Sequence, residues 1–239
     1  MTYVAGFVVA VPETNRQAYV AMAEEGWPLF REFGAERQVE AWDDDVPEGD
    51  RTDFRRSVKA ATGEKVVFSW HEYPSRAVAD AANQKIMSDP RMAAFGDRMP
   101  FDGQRMIWGG FDCVVERGER GPAGYVDGSL VPTPADSRDA YLAYAEKVAD
   151  ILMEHGATRA VDAWSDNIPD GKVTDFRRSV NASADEVVIF SWVEWPSKAV
   201  RDAAWAALES DPQMQPGADP MPFDGKRMIF GGFQMIVNE

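Results

Sequence analysis

Thr52-Asp53-Phe54-Arg55-Arg56-Ser57-Val58 returns unchanged as Thr174-Asp175-Phe176-Arg177-Arg178-Ser179-Val180, an offset of 174 − 52 = 122 residues. The same offset carries Tyr3-Val4-Ala5-Gly6 onto Tyr125-Val126-Asp127-Gly128. It also carries Met99-Pro100-Phe101-Asp102-Gly103 onto Met221-Pro222-Phe223-Asp224-Gly225. Residues 3–117 therefore align with 125–239 without a gap, and 59 of the 115 aligned positions are identical. Solenoids and propellers repeat every 20–50 residues or so, so this period marks the duplication of a whole module. The modules are residues 1–117 and 125–239. Between them runs Gly118-Glu119-Arg120-Gly121-Pro122-Ala123-Gly124, a Gly/Pro linker. Seven residues reach at most about 25 Å, so the two copies must be neighbours.

Working outward within one copy, residues 3–11 are β-rich and almost wholly apolar, as in a strand covered on both faces. Thr14 with Gln17 resembles a capping box. Tyr19, Met22, Ala23, Phe30 and Phe33 then recur at helical spacing up to Gly34. Residues 36–43 read as a strand, Pro47-Glu48-Gly49-Asp50 as a turn, and 52–60 and 65–73 as two further strands. Ser75 caps a helix to about Met87. Asp89-Pro90 opens a short helical turn that Pro216-Gly217 spoils in the second copy. A last strand spans about 104–116. The predicted order is β-α-β-β-β-α-β, a split βαβ plan with one extra strand.

Five segments carry a family resemblance: Tyr3-Val4-x-Gly6-Phe7-Val8-Val9-Ala10-Val11-Pro12, Val67-Phe68-Ser69-Trp70-x-Glu72-Tyr73-Pro74-Ser75, Asp80-Ala81-Ala82-Asn83-Gln84-Lys85, Ser88-Asp89-Pro90-Arg91-Met92 and Met99-Pro100-Phe101-Asp102-Gly103. The chain resembles the YbaA-like bacterial domain-of-unknown-function family, over both copies almost end to end. The resemblance implies the dimeric α+β barrel superfamily. It implies an α+β fold of two ferredoxin-like modules with antiparallel sheets, fused as a pseudo-dimeric barrel. It also implies that one chain makes the assembly that single-module relatives would make as homodimers. It implies no activity.

Composition narrows the function classes. The chain has 40 acidic and 25 basic residues, a net charge of −15. That charge disfavours phosphate backbones and anionic membrane surfaces, which need clustered Lys and Arg. No apolar run approaches the roughly 18 residues of a membrane span, and Met1-Thr2-Tyr3-Val4 lacks the basic start of a signal peptide. Cys113 is the only cysteine, so no internal disulfide forms and a cytoplasmic location is expected. The expected state is a monomer with internal pseudo-twofold symmetry.

Candidate chemistry is sparse. His71 and His155 face Val193 and Phe33 in the alignment, so neither recurs, and no metal or cofactor is expected. No nucleophile motif is present. Gly109-Gly110 and Gly231-Gly232 lie inside an apolar strand and read as a bulge or a close backbone approach. The two-residue strand period puts Val66, Phe68, Trp70 and Glu72 on one face, and Val188, Phe190, Trp192 and Glu194 likewise. A carboxylate in line with aromatic rings is a candidate general base if desolvation raises its pKa. Arg105 or Arg227 would then stabilise an anion. The competing reading is an arginine paired with Glu72, which would hold that pKa down.

Two functions follow. One is a small-molecule-binding or scaffold module, with a ligand inside the barrel against Trp42, Trp70, His71 and Asn83, and Trp164 and Trp192 in the second copy. The other is a cofactor-free oxygenase or isomerase of a small aromatic or ketone compound, with Glu72 or Glu194 as base. Asn83-Gln84-Lys85 against Trp205-Ala206-Ala207, and His71 against Val193, make the first copy the better candidate.

Overall fold

A computed structural model describes residues 1–96, 98–214 and 220–239. The first half contains strands β1 (Tyr3–Pro12), β2 (Arg37–Asp45), β3 (Glu64–Tyr73) and β4 (Ile107–Gly118). Its helices are α1 (Arg16–Glu32), α2 (Phe54–Ser57), α3 (Arg76–Ser88) and α4 (Pro90–Gly96). The second half contains β5 (Tyr125–Pro134), β6 (Arg159–Asn167), β7 (Glu186–Trp195) and β8 (Ile229–Asn238), with α5 (Arg138–Glu154), α6 (Phe176–Ser179) and α7 (Lys198–Leu208). The second-copy Pro216-Gly217 lies outside the described residues.

The strands close into one antiparallel barrel in the order β1-β3-β2-β8-β5-β7-β6-β4. Each half contributes four consecutive members. The halves join where β2 pairs with β8 and where β4 pairs with β6. No helix among the described residues is long and apolar enough to cross a membrane.

The segment read as an extra strand, 52–60, is instead the short helix α2. Asp53 has extended backbone and its carboxylate accepts from the Arg56 amide at 2.8 Å, so it is an N-cap. Ser57 Oγ donates to the Phe54 carbonyl, and Lys59 leaves in the left-handed region at φ 50°. The repeated copy folds identically at Asp175 and Asn181. Thr52 Oγ1 donates to the Ser179 carbonyl at 2.7 Å, and Thr174 Oγ1 to the Ser57 carbonyl at 2.6 Å. The unchanged heptapeptide is thus a reciprocal clasp between halves. Two further expectations need correction. Helix α1 starts at Arg16 after Asn15, with no side-chain cap from Thr14. The last strand starts at Ile107, which leaves Arg105 in the preceding turn. Ser75 does cap α3, accepting from Val78.

The barrel interior is filled with aromatic side chains. Phe68 and Phe190 stack with centroids 4.4 Å apart, and Trp70 and Trp192 lie 4.5 Å apart. Phe54 of α2 meets Phe68 and Phe233 edge-on, and Phe176 of α6 meets Phe111 and Phe190. Gly6 and Gly128 make room for this stack: a Cβ on Gly6 would stand 2.8 Å from the Phe190 ring, and one on Gly128 3.0 Å from Phe68. Gly110 similarly leaves space for the Tyr3 hydroxyl, beside a bulge in the β4–β6 pairing.

Candidate functional site

Glu72 and Glu194 end the interior row of their strands and are fully buried. They face Arg37 and Arg159, also buried, from β2 and β6. Arg37 makes a two-pronged contact with Glu194 at 2.7 and 2.9 Å, and Arg159 the same with Glu72 at 2.7 and 2.9 Å. Each arginine also touches the other glutamate, at 3.3 and 3.2 Å. Trp70 and Trp192 Nε1 each donate to the glutamate two residues on, at 3.0 Å. Burial alone would raise the Glu72 pKa, but the Arg159 and Arg120 charges and the Trp70 N–H outweigh it and hold Glu72 at about 2. Of the two sequence readings of Glu72, a carboxyl raised by desolvation and one held down by an arginine, this geometry matches the second. This quartet closes the barrel end opposite α2 and α6 and is a tie between halves. The arginine partner foreseen for Glu72 exists, but it is Arg159.

Arg105 and Arg227 lie elsewhere. Arg105 grips Glu64 at 2.7 Å with two nitrogens and donates to the Lys59 carbonyl at 2.9 Å. Glu64 begins β3 and Glu72 nearly ends it. Arg227 repeats the contact with Glu186 and the Asn181 carbonyl. Trp42 and Trp164 face outward under α1 and α5, with centroids 6.4 and 6.0 Å from Tyr19 and Tyr141. Glu72, Trp70, Trp42 and Arg105 therefore do not come together around one ligand: the first two lie in the packed interior, Trp42 on the opposite face of the sheet and Arg105 in a strand-entry turn.

Cavities lie instead on the outer face of the barrel, beneath the long helices. One of about 360 Å³ is lined in the first half by residues including Phe7, Met22, Phe30, Met92 and Trp108. Its counterpart in the second half has about 530 Å³ and is lined by residues including Val131, Tyr144, Val148, Phe223 and Phe230. Both sizes suit a small organic molecule. His71 and the exposed Asn83 are the sequence-predicted ligand residues brought together in the first cavity. Burial among the Phe7 and Phe30 rings, at 5.4 and 4.4 Å, lowers the His71 pKa to about 4, so its imidazole is neutral.

The outer faces of β2 and β3 place a polar tile on the cavity wall. Glu40 pairs across the strands with Ser69, and Gln38 with His71. The Tyr19 hydroxyl donates to Glu40 Oε2 at 2.6 Å. Desolvation raises the Glu40 pKa to about 7, although the Tyr19 and Ser69 hydrogen bonds pull it down. The second cavity keeps half of this tile. Tyr141 donates to Asp162 at 2.6 Å, Ser191 also bonds Asp162, and desolvation raises that carboxyl too. The first cavity takes Asn167 from the opposite half, and two bonds cross between the halves, from the Tyr3 hydroxyl to Asp166 at 3.1 Å and from the Tyr125 hydroxyl to Asp44 at 2.9 Å.

Residues 2–103 and residues 124–225 each match the family described as protein of unknown function DUF1428. This chain is a tandem member of the DUF1428 family. Uncharacterized protein YbaA of Escherichia coli K12 is 62% identical over 116 residues, which is 48% of this chain and 99% of YbaA. The Shigella flexneri protein matches to the same extent. Three solved structures share the fold over essentially the whole chain. A "putative monooxygenase" from Lactobacillus acidophilus NCFM has TM-score 0.58 at 10% identity, covering 99% of this chain and 95% of that one. One from Fusobacterium nucleatum has TM-score 0.54 at 9%, covering 100% and 94%. An anthrone oxidase-like protein has 0.52 at 13%, covering 100% and 92%. At these identities the likeness concerns the α+β barrel fold alone.

Sequence reasoning missed Tyr19, Glu40 and Ser69 of this DUF1428 protein. A signal was present in the duplication: Tyr19 and Ser69 recur as Tyr141 and Ser191, and acidic Glu40 as acidic Asp162. All three stand among apolar neighbours that one sheet face and one helix must bury.

Proposed function

We propose that the protein binds a small, largely apolar compound in the outer cavity of its first half, and that Glu40 exchanges a proton with it. The observation that carries this reading is a buried carboxyl of pKa about 7 on the wall of an apolar cavity, held by a tyrosine hydroxyl. A general base works best with a pKa near the operating pH. The chemistry it favours is removal of a proton from a carbon activated by a carbonyl. Return of that proton to another carbon is an isomerisation, and capture of the carbanion by dioxygen, as oxidant, is a cofactor-free oxygenation. The base in this reading is Glu40, with Asp162 as its counterpart, rather than Glu72 or Glu194. His71 and Asn83 belong to the ligand wall and mouth.

On the same reading each half is a ferredoxin-like module, bounded at 1–117 and 125–239, and the pair is a pseudo-dimer working as a cytoplasmic monomer. Its test is light scattering, with a single chain expected and a dimer built through β2 or β4 fatal to it.

The functional test is deuterium exchange at the activated carbon of an aromatic ketone such as anthrone, followed by NMR in D₂O. Wild type should accelerate exchange, and Glu40→Gln should lower the protein-dependent rate by roughly 10²- to 10⁴-fold. No binding and no acceleration would refute the proposal.

A further inference from the structure

One difference between the two cavities bears directly on ligand identity. In the first, Gln38 is buried on the cavity wall, and its Nε2 donates to the Ala23 carbonyl at 3.2 Å. That bond fixes which end of the amide is nitrogen. It leaves Gln38 Oε1 buried with no hydrogen-bond partner. Buried amide oxygens are rarely left this way, because each unmet group costs about the desolvation of a polar atom. Directly across the strand pair stands His71, buried on the same wall. Burial is the cause of its lowered pKa. The neutral ring offers one N–H donor and one acceptor. Gln38 and His71 become Ala160 and Val193 in the second half, on the wall of the other cavity.

We propose that Gln38 and His71 form a receptor for a hydroxyl group on an aromatic ligand, and that only the first cavity has it. A hydroxyl is the smallest group that matches both: its hydrogen goes to Gln38 Oε1 and its oxygen accepts from the imidazole N–H. The terminal torsion of glutamine is soft, so a rotation of the amide can turn the covered oxygen toward the ligand. Apart from the Tyr19, Glu40 and Ser69 tile, most of the wall is aromatic and aliphatic, with Phe7, Phe30 and Met92 at hand for the ring. The second cavity retains Tyr141, Asp162 and Ser191 but meets the ligand with Ala160 and Val193, so it takes the same apolar body without regard to a hydroxyl. The two sites of one chain are therefore selective and permissive versions of one pocket. This deepens the binding function proposed above and rests on it.

Calorimetric titration of the full chain with 2-naphthol and with 2-methoxynaphthalene tests the idea, because methylation removes the donor and keeps the ring. Wild type should show one site per chain that prefers 2-naphthol by about tenfold or more, the factor expected when a buried acceptor loses its donor. Gln38→Leu with His71→Val should erase that preference while both compounds still bind. Ala160→Gln with Val193→His should add a second selective site. Equal wild-type affinities for the two compounds would overturn the hydroxyl receptor and leave the cavity reading intact. Failure of both compounds to bind would overturn the cavity reading as well. The wild-type comparison decides the matter even if a variant does not fold.

Discussion

Ala5, Ala79 and Asn83 line one side of the first cavity, where the second has Asp127, Arg201 and Trp205, with the buried Trp195 standing where the first half has Tyr73. In the second half these polar groups satisfy one another. The Asp127 carboxylate accepts from Trp195 Nε1 at 2.9 Å, Trp205 Nε1 at 2.8 Å and Arg201 Nε at 2.8 Å. Arg201 also reaches Asp45 of the first half at 2.8 Å. In the first half the added polar groups, Gln38 and His71, are left with unused bonding capacity. A saturated buried network stiffens a wall, whereas an unsaturated one is receptive to a ligand. Two closely matched barrel walls have thus been given opposite polar arrangements, one closed on itself and one open.

The barrel end is where the halves should still behave alike, and it sets the largest expected effect. Glu72→Ala or Glu194→Ala takes the two-pronged partner from a buried arginine, so each should cost about 3–5 kcal/mol in urea unfolding. Glu72→Ala should be the more severe, because Arg120 also pairs with Glu72 at 2.8 Å. A negligible loss at either position would mean that the divergence reaches the seam as well as the cavities.

The next effect is pH dependence at the cavity carboxyl. The Glu40 pKa rises on folding from 4.5 to about 7, so in that interval the folded chain holds a proton that the unfolded chain has released. Stability from this group is full below about pH 4.5 and is lost as pH climbs through 7, a swing on the order of 3 kcal/mol. Glu40→Gln should remove that slope, seen as a wild-type deficit against the variant that grows from pH 5 to pH 8. Asp162→Asn should act in the same direction. Glu72 has the opposite sign: its stabilisation is present above 4.5 and disappears as pH falls toward 2. A Glu40→Gln stability difference that does not change with pH would break the assignment of Glu40 as the titrating group.

The smallest effect isolates the orphan oxygen. Gln38→Leu should stabilise the unliganded protein by about 1 kcal/mol by deleting an unmet acceptor, and Ala160→Gln should destabilise it by a similar amount. Thermal unfolding measures both. Destabilisation by Gln38→Leu would show that the amide serves the fold.

Much of this was legible in the chain. The gapless repeat indicated two equivalent halves, and strand alternation placed Phe68, Trp70 and Glu72 on one face, which is the barrel interior. The heptapeptide misled because Thr-Asp-Phe-Arg-Arg-Ser-Val alternates like a strand, while Asp53 acts locally as a cap and folds it into a turn of helix. Arg105 misled for a different reason: placing the strand start at 104 put it in register with Ile107, though it precedes the strand. The cavity tile was hidden by distance along the chain. Tyr19 and Glu40 are 21 residues apart and meet only because α1 folds back across β2. Nothing in local pattern couples them. The orphaned oxygen of Gln38 is a property of packing, and no sequence reading exposes it.

The linker of residues 118–124 is held down by Arg120, which bonds Glu36 at 2.9 Å and Glu72 at 2.8 Å. Its larger consequence concerns inheritance. In a symmetric pair of identical chains every mutation is expressed twice, and a change that improves one pocket alters the other as well. Once the two copies are encoded in one reading frame, each codon changes alone. A lineage can then trial a histidine or a glutamine in one chamber while the other continues to supply the barrel's remaining staves.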